Sequence, residues 1–163
     1  MLPHFGAAYN LARWLTKDES RAEDVVQEAY LRAFSFFDSL RSNDSRPWLL
    51  SIVRNTCYKL MCREQAARGR APFDEDFHEA PPASSNPELL YARSADHELL
   101  HRALTELPGE YREVLVLREL EDLSYKQISE ATGLPMGTVM SRLSRARQRL
   151  QTILLQPRGE GAL

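Results

Sequence analysis

Apolar residues recur along this chain at helical spacing, and nowhere in a convincing two-residue alternation. Val25, Val26, Ala29, Tyr30, Ala33, Phe34 and Phe37 follow a period near 3.6. Ser20 and Glu23 stand ahead of them with capping-box spacing, so a helix is expected to open at Ser20. After the polar stretch 38–45, Pro47 marks the start of another helix, where a missing N–H is harmless. That helix sets Trp48, Leu49, Ile52, Val53, Thr56 and Leu60 on one face. Ser51, Arg54, Asn55, Tyr58, Lys59 and Cys62 fall on the opposite face, which is basic and carries one aromatic ring. Further on, Asn86-Pro87 is a good N-cap and N1 pair for a helix running to about Glu106, broken by Leu107-Pro108-Gly109. A short helix is expected over 109–121. Ser124 and Gln127 form a second capping box, opening a helix that ends at Gly133. A last helix begins near 135–138 and runs to about Leu155.

Between these two helical sets, residues 69–87 hold four prolines, two serines, one glycine and a cluster of acids, and read as a linker. The expected fold is all-α. Two small helical domains, 1–70 and 88–158, are joined by a flexible acidic linker over 71–87, and the second domain carries a helix–turn–helix. Seventeen linker residues reach at most about 55 Å when extended, enough for the halves to occupy separate sites.

Composition is that of a soluble folded protein, with 43% hydrophobic and 27% charged residues in 163. No apolar run approaches the roughly 18 residues of a membrane span. No export leader is evident in the first fifteen residues, and Cys57 and Cys62 cannot form a disulfide framework, so a cytoplasmic setting is expected. The net charge of −2 argues against a nucleic-acid binder until its distribution is considered. Residues 46–70 hold six basic side chains and one acidic; residues 135–158 hold five basic and none acidic. Residues 71–101 between them hold seven acidic and one basic. Two basic blocks around an acidic one suit a chain that touches a polyanion twice.

The stretch 124–150 carries the most chemistry. Ile128 and Leu134 can pack inward, and Gly133 supplies the positive φ of a tight inter-helix turn. Val139, Leu143, Ala146 and Leu150 form the buried stripe of the second helix. Its outer face carries Thr138, Ser141, Arg142, Ser144, Arg145, Arg147 and Arg149 and no acid. A recognition helix sets its N-terminal residues against base edges in the major groove, where arginine can fork onto guanine. The later arginines suit phosphate, which gives affinity without sequence choice. A solvated basic helix in an ordinary bundle is the plain alternative.

The sequence resembles the extracytoplasmic-function group of bacterial sigma factors, within the sigma-70 family. LPGEYREVLVLRELEDLSYKQISEATGLPMGTVMSRLSRARQRL (107–150) is similar to that family's region 4. AEDVVQEAYLRAF (22–34) is similar to region 2.2, and PWLLSIVRNTCYKL (47–60) to region 2.4. The resemblance implies a docking ridge for the clamp coiled coil of the RNA polymerase β′ subunit at Asp24, Gln27, Glu28 and Leu31. It implies approach to the −10 element by Arg54, Asn55, Tyr58 and Lys59. It also implies a loop, 38–46, that receives an extruded base, with Asn43, Asp44, Arg46 and Trp48 available to hold it. The −35 reader would be the helix carrying Gly137, Thr138, Met140, Ser141, Arg142, Ser144, Arg145 and Arg147. Met140 stands where family members often carry Lys or Arg, and Ser129 where they usually carry Ala. The first helix of region 2 is expected to be short. The linker acids Asp74, Glu75, Asp76 and Glu79 would lie in the polymerase channel that later carries RNA, or simply keep the linker extended.

The implied partners are core RNA polymerase, through its β′ and β subunits, promoter DNA and an anti-sigma factor. No cofactor, metal or catalytic group is implied. His97 and His101 have i, i+4 spacing but lack further obvious ligands, and there is no P-loop or nucleophile–base set. Two other readings remain: a sigma-like decoy that titrates an anti-sigma factor, and a plain helix–turn–helix regulator.

Overall fold

A computed structural model describes residues 2–39, 44–69 and 95–156. Among them are seven α-helices: α1 (Phe5–Thr16), α2 (Glu19–Ser35), α3 (Ser45–Ala67), α4 (Ala95–Glu106), α5 (Gly109–Leu115), α6 (Tyr125–Thr132) and α7 (Met136–Leu155). Short 3₁₀ turns precede α1 and follow α2, and a π-helical turn over Val116–Leu120 extends α5. None of the described helices is long and apolar enough to cross a membrane. The expected helix start at Asn86-Pro87 and the linker lie outside the described residues.

Helices α1, α2 and α3 pack on one another through small side chains. Ala8, Leu11, Ala12 and Leu15 of α1 meet Ala22, Val25, Val26, Ala29 and Ala33 of α2, and Leu49, Leu50, Val53 and Cys57 of α3. Alanine at the contacts lets helix axes approach towards the short end of the usual 8–10 Å range. Phe34 and Phe37, expected on the inner face of α2, are exposed instead. The alanine and valine positions take the inner face, and the phenylalanines stand on the flank, Phe37 meeting Trp48 edge-on at 6.4 Å.

Two local expectations need correcting. Helix α2 opens one residue before Ser20, and its cap is Asp18, whose carboxylate accepts the Arg21 N–H at 3.1 Å. Lys17, at φ +60°, closes α1 with its N–H on the Arg13 carbonyl, so the chain enters α2 early and Asp18 reaches the capping position first. The buried stripe of α3 also differs. Leu50 and Cys57 are fully buried with Leu49 and Val53, whereas Trp48, Ile52 and Leu60 are partly covered. Helix α3 is flanked by α1 and α2 on one side and by α6 on another, so no single apolar face serves it.

Burial and the charge of Glu113 push the Cys57 thiol up to about 12, while Cys62 is exposed. Only the thiolate alkylates readily. One iodoacetamide adduct per native chain, at Cys62, is expected at pH 8, and two in denaturant. Peptide mass spectrometry checks this, and native modification of Cys57 at a rate similar to Cys62 would contradict it.

In the second half, six consecutive residues, Arg112 to Leu117, are buried. A helix enclosed all round must be central, and α5 packs against α7 on one side and α1 on the other. Arg112 resolves its own burial by donating to the carbonyls of Leu104, Thr105 and Leu107 at the end of α4, and to that of Trp14 in α1. Burial lowers its pKa to about 10; burial and the charge of Arg112 lower nearby Lys17 to about 8.

The helix–turn–helix forms from local signals. Ser124 and Gln127 make a reciprocal capping box, each side chain holding the other's backbone N–H. Gly133 ends α6 at φ +76°, donating to the Ser129 carbonyl at 2.9 Å. The Ser129 hydroxyl finds its partner in the Leu134 carbonyl. Ile128, Val139, Leu143 and Ala146 are buried, and Leu134 and Leu150 pack against them. The buried side chains of the two halves form one continuous cluster, with α6 lying on α3 and α5 on α1.

Candidate nucleic-acid interface

Three surfaces matter. On α2, the inward alanines and valines turn Asp24, Gln27 and Leu31 outward, with Leu31 68% exposed. Glu28 lies on the same flank and pairs with Arg32 one turn on, at 2.6 Å. The ridge is therefore one apolar side chain among acids and an amide, standing on a rigid helix.

On α3, Asn55 and Lys59 are exposed, but Arg54 and Tyr58 are turned towards the second half. The Arg54 guanidinium pairs with Glu113 of α5, and the Tyr58 hydroxyl donates to the same carboxylate at 2.9 Å. Arg54 also lies over the Tyr58 ring, 4.8 Å from its centroid. The Glu113 side chain is only 1% exposed; desolvation raises its pKa, against the opposing pull of Arg54 and Tyr58. Burial, with the Glu113 charge, raises the Tyr58 phenol. At the start of α3, Asp44 caps the Arg46 N–H at 3.1 Å and accepts from the Gln127 amide of α6 at 2.7 Å. The Arg46 guanidinium binds the Glu121 carbonyl and lies 3.5 Å from its carboxylate, which also accepts from Asn10 at 2.6 Å. Asn43 lies outside the described residues.

On α7 the buried stripe leaves Gly137, Met140, Ser141, Ser144, Arg145 and Arg147 exposed, with Thr138 and Arg142 half-covered. Arg142 lies 3.7 Å from Glu110. Arg147 pairs with Glu119 at 2.8 Å, which raises its pKa further. These acids come from α5 and its π-helical turn, so they steady the arginines without covering the outer face.

Sequence reasoning did not single out Glu113, Glu121, Gln127 or Asn10 as partners of this surface. A signal existed for the first: Glu113 is a lone acid at the head of an apolar run, a position where a carboxylate needs a buried cation.

The description sigma-70 region 2 fits residues 3–67, and sigma-70 region 4 fits residues 97–150. The chain is 34% identical over 159 residues to the ECF RNA polymerase sigma factor SigE of Mycolicibacterium smegmatis, covering 98% of this chain and 62% of that one. It is 36% identical over 136 residues to the ECF RNA polymerase sigma-E factor of Escherichia coli, covering 77% and 69%. The chain belongs to the extracytoplasmic-function sigma factors. Among solved structures, the sigma factor RpoE of Bartonella quintana, in complex with the anti-sigma factor NepR, superposes with a TM-score of 0.74 at 29% identity over 96% of this chain and 95% of that one. Against SigE this sigma factor spans just under two thirds of the relative's length.

Within this sigma factor, the α2 ridge belongs to the part similar to region 2, and α7 to the part similar to region 4. The contacts of Arg54, Tyr58, Arg46 and Asp44 join one part to the other.

Proposed function

We propose that this chain is a promoter-specificity subunit, binding core RNA polymerase and directing it to particular promoters. The observation that carries the reading is the presence of both sigma-70 regions, in order, on one chain that also exposes a docking ridge and an acid-free helix. Residues 1–70 would dock on the polymerase through Asp24, Gln27, Glu28 and Leu31. They would also capture the melted −10 strand through Asn43, Asp44, Arg46, Trp48, Arg54, Asn55, Tyr58 and Lys59. Residues 88–158 would read −35 duplex through α7, with 71–87 as the connector. RNA synthesis belongs to the polymerase, and the sigma factor supplies no catalytic group. Its place of action is the polymerase's. An anti-sigma factor is the proposed regulator, by analogy with the Bartonella complex.

The test is run-off transcription with purified core polymerase on the gene's own upstream DNA, with and without the protein. A discrete start site that requires the protein is expected. Binding of that DNA by the protein alone, with no core association, would favour the plain regulator. Core association without any transcription on a defined promoter library would favour the decoy. Arg145 is exposed on α7, and a bidentate arginine–guanine contact is worth about 1–3 kcal/mol. Arg145→Ala is therefore expected to reduce −35-dependent transcription about tenfold or more while leaving core binding unchanged. Normal initiation by that variant would remove Arg145 from the reading surface.

A further inference from the structure

We propose that Met136 and Met140, one turn apart at the leading end of α7, read thymine in the −35 duplex through its 5-methyl group. The inference rests on the reading of α7 as the helix that enters the major groove, and it names what the start of that helix recognises.

The leading end of a recognition helix is the part that meets base edges. In this chain that end is apolar. Met136 and Met140 are 46% and 51% exposed, whereas Val139 and Leu143 of the same turns are buried. The polar side chains there are already engaged or covered. The Ser141 hydroxyl donates to the Thr138 carbonyl at 3.1 Å, Arg142 lies 3.7 Å from Glu110, and Thr138 is half-covered. Small residues surround the Met140 thioether. A Cβ on Gly137 would meet open space, and Ser141 and Ser144 are short and exposed. The first fully exposed guanidinium of α7 belongs to Arg145, more than a turn beyond Met140.

The major groove offers one apolar group to such a side chain. Thymine carries a methyl at C5, where guanine, adenine and cytosine present hydrogen-bonding groups. Methionine has no donor and only a weak acceptor, so a guanine or adenine edge gives it no bond to make. Its unbranched thioether is flexible and polarisable, suited to lie along a methyl group. Four residues rise about 6 Å along a helix, close to the roughly 7 Å between bases two steps apart on one strand. The two methionines are therefore spaced to reach methyl groups on separate base pairs. Burial of one methyl-sized apolar group corresponds to about fourfold in affinity. A lysine or arginine at position 140 would instead seek phosphate or guanine, so the thioether changes which base is preferred there.

The experiment uses the full chain with core polymerase on the promoter whose start site depends on it. Each thymine of the −35 element, on either strand, is replaced in turn by deoxyuridine, which pairs identically and lacks only the methyl. Binding to each duplex is measured by competition against the unmodified promoter, for wild type, M136A, M140A and R145A. Wild type is expected to lose about fourfold at a thymine facing Met140 and again at a second facing Met136. M140A is expected to bind the unmodified promoter about fourfold more weakly and to show no uracil penalty at the first of these. M136A loses the penalty at the second. R145A weakens binding but keeps both penalties, which separates the methyl contact from a general loss of affinity. Core association, measured on the same samples, reports that the variants are folded. Absence of any uracil penalty in wild type, or penalties unchanged in both M136A and M140A, overturns the methyl contact and leaves sigma activity standing. No core association by wild type would overturn the sigma reading and this inference with it.

Discussion

Replacing Leu31 by aspartate is expected to weaken association with core RNA polymerase at least thirtyfold, with no more than about 1 °C change in melting temperature. Leu31 is 68% exposed on α2 and lies outside the buried cluster of alanines and valines that holds the helix in place. Its substitution therefore leaves folding almost untouched, as surface changes usually do. An exposed apolar side chain on a rigid ridge is the kind of group that becomes an interface anchor, and losing an anchor costs about 2 kcal/mol or more. A carboxylate there also adds a charge that the interface would have to desolvate. Surface plasmon resonance with immobilised core enzyme reads the effect. Unchanged affinity would move the docking surface away from α2.

The second large effect concerns stability. Arg112→Met is expected to destabilise the fold by about 3 kcal/mol, because the charged donor is lost and buried carbonyl acceptors are left behind. The guanidinium holds the carbonyl of Leu107 and that of Leu104, which also takes the Leu107 N–H, at the end of α4, and ties them to Trp14 in α1. For a chain of this size the loss corresponds to a fall of about 10 °C in melting temperature. Differential scanning calorimetry checks it. Arg112→Lys should recover only part of the loss, since one ammonium cannot reach carbonyls arrayed for a planar fork. A Met variant melting within 2 °C of wild type would show that water satisfies those carbonyls and that the clamp is dispensable.

What the sequence discloses and what it conceals follow from the range of the interactions. The Ser124–Gln127 box, the left-handed Gly133 and the buried stripe Val139–Leu143–Ala146 are read from neighbours within four residues, and the structure forms them as the spacing implies. Ser20–Glu23 satisfies the same local pattern as a cap at Asp18, and only the left-handed Lys17 decides between them. The face of α3 was harder still. Its residues divide between a core with α1 and α2 and a contact with α6, a partition that no single periodicity records. The meeting of Arg54 with Glu113 joins positions 59 residues apart, and Arg46 with Glu121 positions 75 apart. Complementary charges so distant are legible only as a lone acid in an apolar run and a basic face without an evident counterpart.

The contrast between a covered α3 and an outward α7 bears on the order of events in time. Helix α7 turns Ser141 and Arg145 fully outward, whereas α3 exposes Asn55 and Lys59 and turns Arg54 and Tyr58 inward on Glu113. Encounters with the genome before assembly would then be brief and reversible, governed by a few arginine–phosphate contacts and shortened by salt. Longer residence would begin only with the added contacts of the polymerase complex, which spares the protein idle time at sites where no polymerase has arrived.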